Sequence, residues 1–150
     1  MIEVRSLTRL DATELKRIAS GYSSDSKYVV THVDSVSRAS IDLRLVALEQ
    51  PFIKKYDHFD AEILQRYNEV LKDNYSFGAY EGDLLVGLLI AEARCWNLSL
   101  WVCEFHVADT HRQRGIGKRV MDCAAEKAKQ AGLRIIVCET QNTNAAVISV

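Results

Sequence analysis

Between Val107 and Val120 the chain reads Val-Ala-Asp-Thr-His-Arg-Gln-Arg-Gly-Ile-Gly-Lys-Arg-Val. Gly115 and Gly117 flank Ile116, and Arg112, Gln113, Arg114 and Lys118 crowd around them. Glycines strip away the side chains that would hold a ligand off the main chain. If a helix opens here, its first N–H groups lack partners and its dipole adds positive potential. The guanidinium and ammonium groups add charge at the same spot. Gripping a diphosphate is the chemistry this arrangement suits. The segment lacks the Gly-Lys-Ser/Thr ending of a P-loop, and Lys118-Arg119-Val120 holds no third glycine for a dinucleotide fingerprint. Cys95, Cys103, Cys123 and Cys138 form no C-x-x-C pair and have no histidine at ligand spacing, so neither a metal site nor a disulfide framework is predicted. Cys103, Cys123 and Cys138 sit in apolar stretches and read as small core hydrophobes.

The elements around this segment must position it. Leu98 to Val107 reads as a strand leading into the basic loop, and Ile116, Val120, Cys123, Ala124, Ala128 and Ala131 mark an amphipathic helix from Gly115 to Ala131. Gly132 stops that helix, and Leu133 to Thr140 is a β-branched strand. Upstream, Tyr75 to Tyr80 and Leu84 to Ala93 make two strands about a tight turn at Glu81-Gly82-Asp83. The second half is thus β-β-β-α-β, an α/β plan. In the first half, Ile2 to Arg5 alternates as an opening strand, and Asp11 caps a helix carrying Ala12, Leu15, Ile18 and Ala19. Ser40 to Leu45 alternates as a strand, and Asp60 opens a helix with Ile63, Leu64, Tyr67 and Leu71 on one face. Gly21 to Ser40 is polar, serine-rich and carries no periodic signal.

A length of 150 residues predicts one compact domain. Apolar residues at 48% and charged residues at 26% are ordinary for a chain that buries a core. Nineteen basic against twenty acidic residues leave a net charge of −1, which disfavours nucleic-acid and membrane-surface partners. No apolar run approaches the ~20 residues of a membrane span, and the opening MIEVRSLTRL lacks a signal-peptide pattern. The expectation is a soluble, cytoplasmic protein.

The glycine segment resembles the acyl-CoA pyrophosphate motif of the GNAT superfamily, the Gcn5-related N-acetyltransferases. Cys138-Glu139-Thr140-Gln141-Asn142-Thr143-Asn144 is similar to the family's strand followed by an asparagine-bearing loop. Its Glu-Thr-Gln-x-x-Asn form, with Trp96-Asn97 and Thr110-His111-Arg112, resembles the streptothricin acetyltransferase branch. The resemblance covers roughly residues 75 to 150. It implies a mixed, mostly antiparallel central sheet flanked by helices, with acetyl-CoA as co-substrate and no metal. It implies that Gln113 to Lys118 hold the diphosphate, that main chain at Phe105, His106 and Val107 pairs with the pantetheine arm, and that Asn144 contacts that arm. A backbone N–H of the strand would stabilise the thioester oxyanion.

Two departures from the family stand out. Many members carry a glutamate nine residues before the first arginine of the motif; Cys103 stands there, and Glu104 follows it. A one-residue shift turns a strand side chain to the opposite face, unless a β-bulge restores its aim. Glu104 is the candidate general base; His106 competes with it, since imidazoles titrate near neutrality. The family also continues past the asparagine through a helix to a tyrosine that often acts as general acid, whereas this chain ends at Val150. The expectation is a single domain over 1–150, truncated before the last strands, whose bared sheet edge favours a homodimer.

The implied reaction is acetyl transfer from acetyl-CoA to a primary amine of a small molecule, such as a streptothricin-like or aminoglycoside-like antibiotic, or of a peptide. Tyr22, Tyr28, Phe52, Tyr56, Asp57 and Asp60 are candidates to line the acceptor pocket; as core aromatics and a solvated face they need no such role. Two rival classes are a non-catalytic acyl-CoA-binding or regulatory module and a nucleic-acid domain using the Arg112–Arg119 cluster. Charge balance and the lack of an RNA-stacking aromatic motif weigh against the second.

Overall fold

The computed structural model describes residues 1–148. In chain order its elements are β1 (Ile2–Ser6), α1 (Ala12–Ile18), β2 (Tyr22–Asp34), β3 (Ala39–Lys54), α2 (Ala61–Leu71), β4 (Phe77–Glu81), β5 (Leu84–Arg94), β6 (Ser99–Val107), a short 3₁₀ turn (Asp109–His111), α3 (Ile116–Gln130), β7 (Ile135–Cys138) and α4 (Ala145–Ile148). They form two compact units. One comprises Met1–Ser20 with Tyr56–Cys138, the other Gly21–Lys55 with the residues from Glu139 onward.

The first unit is built on a five-stranded sheet of order β1-β4-β5-β6-β7. Every pairing is antiparallel except β6 with β7, as expected of a parallel neighbour reached through a crossover helix. Each sheet face buries its own layer. On one, Leu7, Leu15, Ile18, Leu71, Leu85, Leu88 and Ile90 join α1 and α2 to the strands. On the other, Val86, Leu89, Ala91, Leu100, Val120, Ala124 and Ala128 seat α3. Each fully buried large apolar side chain contributes about 1.5–3 kcal/mol.

Local signals set the helix ends. Asp11 accepts from the Glu14 N–H and Asp60 from the Ile63 N–H, both at 2.9 Å, as N-cap carboxylates do. At the end of α3 the N–H groups of Gly132 and Leu133 reach the carbonyls of Lys129 and Ala128, the paired bonds of a Schellman cap. That cap consumes Leu133, so β7 is shorter than the expected Leu133 to Thr140. Cys138, expected in the core, is exposed at the end of this edge strand, and Cys123 is half-buried on α3. No helix among the described residues is long and apolar enough to cross a membrane.

In the second unit β2 and β3 form a long antiparallel ribbon. β2 occupies the serine-rich stretch that gave no periodic signal. Its residues are half-buried or exposed, so no burial pattern marks it, and pairing with β3 defines it instead. Residues 141–143 dock on β2: the Tyr22 hydroxyl meets Gln141 and Thr143, the Tyr28 N–H donates to the Asn142 carbonyl, and the Tyr28 carbonyl accepts from the Asn142 side-chain amide.

Replacing Asp60 by Ala should lower unfolding free energy by about 1 kcal/mol. Urea denaturation should show a lower midpoint at unchanged slope; an unmoved midpoint would mean the cap contributes nothing.

Candidate active site

Strand β6 carries one more residue than its partner. Glu104 lies opposite Ile90 and Val102 opposite Ala91, leaving Cys103 unmatched. This is a β-bulge, and its consequence is geometric. Val102 packs in the α3 layer, whereas Cys103 packs in the α1/α2 layer. Strict alternation from Val102 would send Glu104 toward α3. The extra residue turns it to the α2 face instead. Burial pushes the Cys103 thiol up to about 11, so it stays protonated and non-nucleophilic at neutral pH.

Glu104 is buried, with 8% of its surface exposed, and three side chains meet its carboxyl group. The Tyr67 hydroxyl donates to Oε1 at 2.5 Å. His106 Nε2 lies 2.6 Å from Oε2 and His58 Nε2 3.5 Å from Oε1. Burial alone would raise the Glu104 pKa, but the bonds from His106 and Tyr67 outweigh it and hold the carboxyl below its ordinary range. Tyr67 is pushed the other way, by burial and then by its bond to Glu104. Around this cluster the Tyr56 ring stands edge-on to His106 at 4.9 Å, and the His58 and Phe59 rings are 4.3 Å apart. His106, the competing candidate base, is thus also a hydrogen-bond partner of Glu104. Sequence reading put Tyr67 on an apolar helix face and gave His58 no role. The signal for Tyr67 was a hydroxyl on a face that should be apolar, since a buried Tyr O–H needs a partner.

Beyond β6 the chain turns through the 3₁₀ segment into α3. Here φ is −65° at Arg112, +58° at Gln113 and +72° at Gly115. Arg112 is extended, with ψ at 161°, and the positive φ values after it turn the chain into the start of α3. Gly115 is the N-cap residue of α3, no side chain caps the helix, and the first turn holds no acidic residue. The first helical bond runs from the Arg119 N–H to the Gly115 carbonyl, so the N–H groups of Ile116, Gly117 and Lys118 precede the ladder. A Cβ on Gly115 would meet nothing within 4 Å, whereas one on Gly117 would stand 3.3 Å from the Phe105 ring. The first glycine leaves open space over the turn, and the second lets α3 approach β6.

Three cations of the loop and the helix start are engaged. Arg112 reaches the Val107 carbonyl (3.1 Å), Ser20 (3.3 Å) and Asp109 (2.9 Å). Lys118 pairs with Asp122 at 2.6 Å and Arg119 donates to the Ile2 carbonyl. Exposed pairs of this type are worth under about 1 kcal/mol, so they hold these cations only weakly. The β6–β7 pairing ends at Val102–Cys138, so among the described residues Phe105, His106 and Val107 have β5 on one edge and no strand on the other.

The first unit thus brings together Glu104, Phe105, His106, Val107 and Arg112 to Lys118. Asn144 belongs to the second unit, where its carbonyl accepts from the Val147 and Ile148 N–H groups. The six candidate pocket residues divide: Tyr22, Tyr28 and Phe52 lie in the second unit, while Tyr56, Asp57 and Asp60 lie in the first, with Asp60 serving as a helix cap. Among the described residues no group of three His, Cys, Asp or Glu could hold a metal ion.

A sequence profile of the acetyltransferase (GNAT) family matches residues 43–150. The streptothricin acetyltransferase of Streptomyces lavendulae is 26% identical over 149 residues, spanning 97% of this chain and 76% of that protein. The crystal structure of nourseothricin acetyltransferase superposes with a TM-score of 0.74 at 25% identity, covering 99% of this chain and 78% of the other. An acetyl coenzyme A complex from Bacillus anthracis str. Ames, assigned as a streptothricin acetyltransferase, superposes with a TM-score of 0.74 at 19% identity, covering 99% and 80%.

Glu104 has a lower pKa folded than in its ordinary state near 4.5. Its ionisation therefore stabilises the fold above that value, and the stabilisation disappears as pH falls through the folded value. Tyr67→Phe removes one donor to the carboxylate and should raise the Glu104 pKa. It should cost about 1.5–3 kcal/mol at neutral pH and less in acid. Denaturation at both pH values, with a carboxyl carbon NMR titration of Glu104, reads this. An equal loss at both would show that the bond does not favour the ionised form.

Proposed function

Because the chain belongs to the acetyltransferase (GNAT) family and is an acyl-CoA-dependent N-acetyltransferase, we propose that it acetylates a primary amine of a small cationic molecule of the streptothricin type. The kinship with streptothricin and nourseothricin acetyltransferases supports this acceptor class. Acetyl-CoA supplies the acetyl group as an activated thioester. The observation that carries the reading is the uncapped start of α3 beside an open strand edge.

The residues fit that co-substrate on physical grounds. Main-chain N–H groups of Gln113 to Lys118 would hold the diphosphate, with Arg112, Arg114 and Lys118 supplying charge. The free edge of Phe105 to Val107 would pair with the amide-bearing pantetheine arm. Binding along a rigid strand fixes the position of the reacting carbon, and such positioning lowers a barrier by several kcal/mol.

An ammonium group is not nucleophilic, so the amine must lose a proton. Glu104 takes that role, directly or through water, because its carboxylate is kept ionised by its neighbours. Tyr67 and His58 act as positioning residues on that carboxylate, and His106 shares its charge.

Thiol release from acetyl-CoA, measured with streptothricin, an aminoglycoside and a lysine-bearing peptide, tests the acceptor. Streptothricin should give the highest kcat/KM; release no faster than hydrolysis with every amine would defeat the proposal. Glu104→Gln should lower kcat by about 10²–10⁴ while leaving acetyl-CoA affinity nearly unchanged, and an unaltered pH–rate profile would remove the assigned role. Gly115→Asp should weaken coenzyme A binding by tenfold or more in calorimetry, on the order of the 1.4 kcal/mol that separates decades of affinity. Gly115→Asn, which tolerates the same positive φ without a charge, should lose less. Equal losses in both would point to backbone strain rather than repulsion of the diphosphate.

A further inference from the structure

We propose that β3 pairs edge to edge with β3 of a second copy of this chain, in an antiparallel register centred on Leu43. Within the second unit the sheet has two strands, β2 and β3, and a two-stranded ribbon is marginal on its own in water. On β2, Tyr28 sends its N–H to the Asn142 carbonyl and accepts at its own carbonyl from the Asn142 side chain, both at 2.9 Å. Both main-chain groups of Tyr28 therefore point away from β3. Tyr28 lies opposite Leu45, so this is a non-hydrogen-bonded pair of the antiparallel ladder. Alternation then makes Val30↔Leu43 and His32↔Ile41 non-hydrogen-bonded pairs as well. The main-chain groups of Ile41, Leu43 and Leu45 are thereby turned outward, along the edge of β3 that faces no strand in the described sheet.

That edge carries one charge of each sign but neither of the strongest devices that keep edges apart. Over residues 39–47 it holds no lysine and no proline; Pro51 and the irregularity between Ala47 and Phe52 lie beyond it. Ile41, Leu43 and Leu45 are exposed by 66%, 53% and 51%, and Val30, opposite Leu43, by 50%. The occupant follows from the sequence of the edge, which is self-complementary. Ile41-Asp42-Leu43-Arg44-Leu45 reads apolar, acidic, apolar, basic, apolar about Leu43. In a two-fold pairing there, Leu43 meets its own copy, Ile41 meets Leu45, and Asp42 meets Arg44 twice. The apolar residues form the hydrogen-bonded pairs, so each Asp42–Arg44 pair falls at a non-hydrogen-bonded position, where side chains are closest. Among the described residues neither Asp42 nor Arg44 forms an ion pair within the chain, so this charge pattern finds its complement in a second copy.

The test is sedimentation velocity of the full chain over a range of concentrations at low salt, with single and double charge reversals. The native protein should dimerise. Asp42→Arg and Arg44→Asp each oppose like charges twice across the two-fold and should weaken dimerisation by about tenfold or more. The double variant carrying both changes restores opposite charges and should regain the native dimer, which a merely structural role for either residue would not produce. Amide exchange at Ile41, Leu43 and Leu45 should slow as protein concentration rises. A monomer at every concentration, a dimer indifferent to the single reversals, or a double variant that stays dissociated would each overturn the proposal.

Discussion

An ionised carboxylate inside a protein is stable only where donors replace the water it has lost, since the penalty for an uncompensated buried charge is several kcal/mol. Glu104 meets that condition through one extra residue in β6. Cys103 has no partner on β5, and this single break in register decides whether Glu104 faces α3 or the α2 side. Toward α3 it would meet Val120, Ala124 and Ala128, a layer with nothing to donate. Toward α2 it meets Tyr67, His106 and His58. The inert Cys103 thiol fits a residue whose contribution is to be one residue too many.

Downstream of the bulge, alternation resumes and one strand serves two purposes. Glu104 and His106 share the α2 side, while the Phe105 ring lies toward Gly117 and Val107 packs in the α3 layer. The carboxylate–imidazole pair and the seat of the α3 turn are thus held on opposite faces of a single short segment. The same segment lies past the last β6–β7 pair, which leaves one edge of its main chain without a strand among the described residues. A shift of β6 by one residue would disturb all three features together.

What was legible in the sequence was local. Asp11, Asp60 and Gly132 announce helix ends because a cap depends on residues a few positions away. The strand, glycine turn and helix around Gly115 were readable for the same reason, and so was the need for a bulge if Glu104 were to be redirected. Partners far along the chain were not readable. Tyr67 and His58 stand 37 and 46 residues before Glu104, and nothing in their neighbourhoods marks them as its ligands. β2 escaped because a strand exposed on both faces carries no alternation of burial, and the exposure of Cys138 escaped because an apolar run does not reveal that it lies at a sheet edge.

The cluster about Glu104 also constrains how a proton could be taken up there. A carboxylate kept below its ordinary range is charged but, taken alone, a weak base at neutral pH. An ionised carboxylate only accepts hydrogen bonds, so the contact at 2.6 Å requires the hydrogen to sit on Nε2 of His106. In the neutral imidazole the free lone pair is then on Nδ1. Glu104 thereby fixes the tautomer of the His106 ring. One carboxylate oxygen is thus tied to the ring of His106 through a fixed hydrogen, while Tyr67 and His58 share the other.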